Sequence, residues 1–140
     1  MAIRGILVLL VSAFLMTACG KDDAQNKSKK SDAPMVAREA VLPASKAREL
    51  LSSNTLRATR HGKDKSISIY HGKNGAAQSL DGKEKTGKWR VKEDGQYCLE
   101  WEGKPEACRF IANDGKGGFL VVDGAYKAVW IVNKFSPGKK

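Results

Sequence analysis

Beyond residue 54, apolar and polar residues alternate in short stretches that are separated by glycine-containing turns. Alternation with a period of two is typical of strands that bury one face. Asn-Gly and Asp-Gly pairs favour tight hairpins, because these residues tolerate the positive φ angles that such turns need. The pairs are Asn74-Gly75, Asp81-Gly82, Asp94-Gly95, Asp114-Gly115 and Asp123-Gly124, and Gly103 marks a further turn. The pattern predicts about eight short strands, in the stretches TLRAT, SISIYH, AAQSL, TGKWRV, QYCLEW, ACRFIA, GFLVV and YKAVWIV.

Tight turns between successive strands predict antiparallel pairing. We therefore expect a mainly β fold, either an antiparallel meander or a small barrel, with one short helix before the strands. The helix is predicted in VLPASKARELLSSN, residues 41–54, where Ala47, Leu50 and Leu51 form an apolar face. Such a short helix is unstable alone and must pack on the sheet. The prediction is a single domain over residues 41–135, followed by a basic tail at 136–140.

The central hairpin allows its register to be predicted. A three-residue loop with Gly95 in the left-handed conformation places Val91 opposite Tyr97 and Trp89 opposite Leu99. Because side chains alternate along a strand, one face of this hairpin is apolar and aromatic and should face the core. Its members are Trp89, Val91, Tyr97, Leu99 and Trp101.

The N-terminus has the pattern of a secreted protein. Arg4 precedes the apolar stretch GILVLLVSAFLM, which is too short for a comfortable membrane span. The following Met16-Thr17-Ala18-Cys19 resembles the lipobox of bacterial lipoproteins. That resemblance implies a signal peptide over residues 1–18, lipidation of Cys19 and anchoring in the cell envelope. In bacterial lipoproteins an aspartate directly after the cysteine often signals retention in the inner membrane. Gly20 stands at that position here, so the resemblance favours the outer membrane, facing the periplasm. An ordinary signal peptide with an unmodified cysteine is the alternative.

Residues 19–40 are rich in Lys, Asp, Ser, Asn and Gln and have no apolar periodicity. We interpret them as a flexible tether between the lipid and the domain.

Two cysteines remain if Cys19 carries lipid. An even number in an oxidising compartment favours a disulfide. Cys98 and Cys108 are equidistant from Gly103, so the next hairpin can place them opposite each other. A metal site and two free thiols are the alternatives.

The pattern Gly87-x-Trp89, Cys98-x-x-Trp101 and then Cys108 resembles a group of small proteobacterial envelope proteins whose domain has no known function. The resemblance covers roughly residues 42–132 and implies a secreted, disulfide-bearing β domain without an assigned activity. The Gly-x-Trp stretch is also similar to that of lipocalin barrels. In lipocalins it lies on the first strand, whereas here it falls in mid-chain.

Catalytic and metal sites are not expected. His61 and His71 are interpreted as surface residues at a turn and a strand end, too far apart to share a metal. Glu100, Glu102 and Glu106 cluster at a hairpin tip and are interpreted as solvated charges rather than a glycosidase pair. No nucleophile motif is evident. We therefore expect a protein that is not an enzyme and that uses neither a metal nor a cofactor.

The net charge of +10 favours anionic surfaces, and the predicted location argues against nucleic acid as the physiological partner. Trp101, Lys88, Arg90 and Lys104 are the candidate binding residues. The leading hypothesis is a lipid-anchored, non-catalytic periplasmic domain that binds another envelope component, either a protein or an anionic glycan or lipid. Two alternatives are a small barrel that carries or senses an apolar ligand, and an inhibitor or immunity protein against an envelope hydrolase.

Overall fold

The computed structural model describes residues 32–140. A 3-10 helix at Arg38–Ala40 and helix α1 at Ala44–Leu51 precede eight strands. The strands are β1 Asn54–Arg60, β2 Ser66–His71, β3 Ala76–Ser79, β4 Lys85–Val91, β5 Tyr97–Trp101, β6 Ala107–Asn113, β7 Phe119–Val122 and β8 Ala128–Pro137.

Each strand pairs antiparallel with its neighbour in sequence, and β8 pairs with β1 to close a barrel. The predicted mainly β fold is confirmed, and its barrel form is the one adopted. Closure requires β8 to run to Pro137, beyond the predicted stretch that ended at Val132. The register shifts between Arg57 and Ala58 of β1, where β8 contains a bulge. Such bulges bend a strand and help a sheet to curl.

The predicted register of the central hairpins is confirmed. Val91 pairs with Tyr97 and Trp89 with Leu99, as the turn at Gly95 required. In the next hairpin Cys98 pairs directly with Cys108, and the two form a disulfide. In the chain-entropy model, a disulfide that closes a loop of this length stabilises the folded protein by roughly 2.5–3 kcal/mol.

Helix α1 covers one end of the barrel. Ala47 and Leu51 are fully buried and pack in the core cluster with Leu56 and Ile111. The Arg48 guanidinium donates a 3.0 Å hydrogen bond to the carbonyl of Val91 at the end of β4. The opposite end of the barrel carries the loops β1–β2, β3–β4, β5–β6 and β7–β8, and we call it the hairpin end.

A second apolar cluster lies on the outside of strands β6–β8. Phe110, Ala112, Leu120, Val122 and Ala128 are buried there beneath the segment at residues 34–41. Two backbone hydrogen bonds fix this segment, from Val36 to Tyr126 and from Ala128 to Pro34, each 2.9 Å long. Packing therefore begins before Val41, where the sequence interpretation ended the tether.

The C-terminal residues also take part in the barrel. The Thr55 hydroxyl donates a 2.6 Å hydrogen bond to the Gly138 carbonyl, and the Gly138 amide donates to the Ser53 carbonyl. The segment predicted as a tail at residues 136–140 thus includes the end of β8 and its contacts with β1.

Candidate functional site

The barrel interior contains a cavity of about 270 Å³ that is lined mainly by aliphatic and aromatic side chains. It lies towards the hairpin end, where Lys104 and Pro105 of the β5–β6 loop form part of its rim. The lining residues are Leu56, Ile67, Ile69, Tyr97, Leu99, Trp101, Lys104, Pro105, Ala107, Arg109, Val121 and Trp130. They come from six of the eight strands and one loop, so the cavity depends on the closed barrel.

Gly87 sets the position of Trp101 at this cavity. The two residues are directly paired between β4 and β5. A Cβ atom at Gly87 would collide with the Glu100 carbonyl oxygen and would lie 3.0 Å from Cε3 of Trp101. The absent side chain therefore lets the indole lie close against β4, where it forms one wall of the cavity.

Arg109 is the one cationic side chain that a strand contributes to this lining. It is half-buried and lies opposite Tyr97 on β6. Its Nε atom is buried and has no hydrogen-bond partner. Within residues 32–140, no carboxylate forms an ion pair with its guanidinium. A partly buried cation with an unpaired donor and no counter-charge is less favourable than one that water solvates fully. The position is therefore suited to receive an anion from outside the chain.

The mouth of the cavity is basic. A neighbouring depression at the same end shares Arg109, Trp101 and four other residues with the cavity and adds Lys65, Lys85 and Asp81. The Asp81 carboxylate accepts a hydrogen bond from the Ser68 backbone amide. Among the residues that line the cavity and this depression, Lys65, Lys85 and Lys104 outnumber the one acid, Asp81.

A buried polar pair lies deeper in the barrel. His71 is fully buried, and its Nε2 shares a 2.5 Å hydrogen bond with the Tyr97 hydroxyl. The His71 ring also meets Trp89 edge-on, with 5.4 Å between the ring centroids. Desolvation by burial lowers the pKa of His71 to about 4 and raises the pKa of Tyr97. Both side chains are therefore neutral at pH 7.

The expectation that His71 is a surface residue was wrong. Along β2, His71 has the same orientation as Ile67 and Ile69, because side chains on one strand alternate. The alternation within SISIYH therefore already indicated that His71 faces the interior. The sequence interpretation placed it on the surface because histidine is polar.

The four predicted binding residues do not form one surface. Trp101 and Lys104 line the cavity, whereas Lys88 and Arg90 lie exposed on the outside of β4. Arg90 donates hydrogen bonds of 2.8 and 2.7 Å to the Glu106 carboxylate. These bonds favour the charged carboxylate and hold the pKa of Glu106 below its usual range.

Sequence reasoning missed Arg109, although the predicted hairpins could have revealed it. If Cys98 lies opposite Cys108, then Arg109 lies opposite Tyr97. Tyr97 was already assigned to the core face, so Arg109 must face the interior as well. The predicted lipidation site, Cys19, and the signal peptide lie outside the described residues.

The chain matches no protein-family model, no curated protein and no solved structure. Among residues 32–140, neither helix has the length and hydrophobicity that a membrane span requires.

Proposed function

We propose that the barrel holds a small apolar or amphipathic ligand, and that the protein acts as a lipid-anchored, non-catalytic carrier or sensor in the cell envelope. One observation carries the proposal, namely the apolar cavity inside the barrel near its hairpin end. The predicted anchor at Cys19 would keep this site close to the membrane, where apolar ligands concentrate.

The dimensions of the barrel agree with this function. Eight strands enclose an interior that side chains can just fill or that can hold one small ligand. Protein interiors otherwise leave few voids larger than a water molecule. A cavity of about 270 Å³ is close to the lower end of the range of ligand sites, about 300–1,000 Å³. The ligand is therefore small, or has a single chain.

The leading hypothesis from the sequence, a surface binder, required a filled core and an exposed patch around Trp101 or the lysines. The apolar cavity does not agree with a filled core. Support for a patch at Trp101 is weaker, because Trp101 is half-buried against the core. An outer depression brings it together with Lys88 but also with Glu100 and Glu102, and Arg90 is not part of it. An envelope lipid inside the barrel would still satisfy the prediction that the partner is an envelope component. No specific feature of residues 32–140 favours the inhibitor alternative.

Binding of a neutral fluorescent probe tests the proposal. We expect the purified, full-length mature protein to bind N-phenyl-1-naphthylamine saturably at one site, with enhanced fluorescence. The Leu99→Trp variant fills part of the cavity and should weaken binding about tenfold or more. Glu100→Trp is the matched control, because residue 100 is exposed on the outer face of the same strand.

Unfolding of both variants should be measured alongside, so that loss of binding is compared only between folded proteins. Absence of saturable binding to the wild-type protein, or equal binding by the two variants, would overturn the proposal.

A further inference from the structure

We propose that the ligand is a single-chain amphiphile with a carboxylate head group that pairs with Arg109. This inference rests on the proposed function, since it names the chemical class of the ligand that the cavity holds. The observation behind it is a guanidinium in the wall of an apolar cavity that has no anionic partner in the described part of the chain.

The strand register places Arg109 on the inner face of β6. Its neighbours on the same face of β6 are Ala107 and Ile111, and the first lines the cavity while the second is fully buried. Its partner across the sheet, Tyr97, is buried too. An arginine at such a position is costly to desolvate unless its charge and its donors are satisfied.

The protein itself does not supply the missing counter-charge. The Tyr97 hydroxyl is neutral and shares its hydrogen bond with His71. Asp81 lines the same depression as Arg109 but forms no ion pair with it. The ion pairs among residues 32–140 all lie elsewhere, namely Lys46–Glu49, Arg48–Glu93 and Arg90–Glu106. An external anion is therefore the natural partner of Arg109.

The chemistry of the guanidinium favours a carboxylate. Its planar set of donors matches the two oxygens of a carboxylate in a bidentate pair. One guanidinium also balances the single negative charge of this group. The rest of the lining is aliphatic and aromatic and fits the apolar chain of the same molecule.

The lysines at the mouth serve a different purpose. Lys65, Lys85 and Lys104 are exposed, so water screens them strongly and each adds little to the affinity. With Asp81 they leave a net positive charge among the residues that line the entrance, which favours the approach of anions. The lysines at the entrance and Arg109 inside the cavity thus both favour a negatively charged ligand.

Competition among three ligands of equal chain length tests the inference. Decanoate, decanol and decylammonium should displace N-phenyl-1-naphthylamine from the full mature protein in that order of affinity. A charged hydrogen-bonded pair predicts a preference of about tenfold or more for decanoate over decanol. In Arg109→Met this preference should disappear while decanol still binds. Arg109→Lys should keep part of it.

Arg57→Met is the matched control, because Arg57 is exposed on the outside of β1 and lines neither the cavity nor its mouth. It should leave the order of the three ligands unchanged. The unfolding midpoint of ligand-free Arg109→Met adds a second readout. Removal of an unpaired, partly buried cation should leave that midpoint unchanged or raise it.

The two proposals fail in distinguishable ways. If neither the neutral probe nor any of the three ligands binds, the proposed function is wrong. If decanol binds as well as decanoate and Arg109→Met changes neither affinity, the barrel binds ligands but the carboxylate assignment is wrong. A marked loss of stability in ligand-free Arg109→Met would also overturn the assignment, since it would show that Arg109 is satisfied within the protein.

Discussion

Two polar side chains inside the barrel differ in charge and in their place relative to the cavity. Each has one buried nitrogen without a hydrogen-bond partner, Nδ1 of His71 and Nε of Arg109. His71 is neutral, shares a hydrogen bond with Tyr97 and does not line the cavity, whereas Arg109 is cationic and lines it. An unpaired charge costs more to desolvate than a neutral polar group. His71 is therefore a structural residue in this interpretation, and Arg109 is the residue that marks the ligand site.

The burial of His71 predicts a pH-dependent stability. Its pKa is about 4 in the folded protein, below the ordinary value of 6.5. The unfolded chain therefore binds the proton more readily between these values, and stability is fully present above the unfolded pKa and falls as the pH is lowered. We expect the free energy of unfolding to decrease by about 2 kcal/mol from about pH 7.5 to about pH 5. Urea denaturation at a series of pH values measures this.

His71→Gln should remove this dependence of the free energy of unfolding on pH. His61→Gln, at the β1–β2 turn, should retain it. The pKa values of Glu106 and Asp114 are lowered in the folded state, so their contributions are lost only as the pH falls below their ordinary values of 4.5 and 3.8. Measurements above about pH 5 therefore report mainly on His71. A slope that persists in His71→Gln would contradict this explanation.

At the scale of elements, the hairpins β4–β5 and β5–β6 are the best predicted part of the molecule. Their turns carry local signals at Gly95 and Gly103, and a fixed turn determines which residues face each other. The disulfide between Cys98 and Cys108 follows from the same register. By contrast, no local signal extends β8 past Val132, because Asn133 and Lys134 read as polar loop residues.

Gly87→Ala should disturb the β4–β5 pair and the cavity wall together. The new Cβ meets the Glu100 backbone, which cannot move aside as a flexible side chain would, and it crowds the Trp101 ring. We expect a loss of about 1–3 kcal/mol in the free energy of unfolding, and weaker binding of N-phenyl-1-naphthylamine. Urea unfolding and probe titration measure the two effects.

Gly124→Ala is the control, since a Cβ at that position meets no atom within 4 Å. If both alanine variants unfold at the same denaturant concentration, close approach at Gly87 does not position Trp101.

At the scale of the whole molecule, the cavity and the predicted anchor together suggest where ligand exchange takes place. Two or more acyl chains on one residue hold a protein stably on a membrane, whereas one chain binds marginally. The tether would then keep the barrel within reach of that membrane.

Cys19→Ser should therefore release the protein from the membrane fraction of a bacterial host, because no lipid can be attached. Cell fractionation followed by immunoblotting measures this, and intact mass should show a wild-type protein that begins at residue 19 with added acyl groups. Gly20→Ala, which keeps the cysteine, should remain membrane-bound. A Cys19→Ser protein that stays in the membrane fraction would show that the lipobox interpretation is wrong.

The sequence by itself determined the local features of this protein, namely the strands, their turns, the register of the central hairpins and the cysteine pair. These features depend on neighbouring residues, and the physics of φ angles and side-chain alternation acts at that range. The inward positions of His71 and Arg109 also follow from alternation and register, although the sequence interpretation overlooked them. Only the tertiary structure decided that β8 closes on β1 and that the interior is not filled. Closure and filling depend on the summed volumes of side chains from distant strands, and no local pattern in the chain encodes that sum.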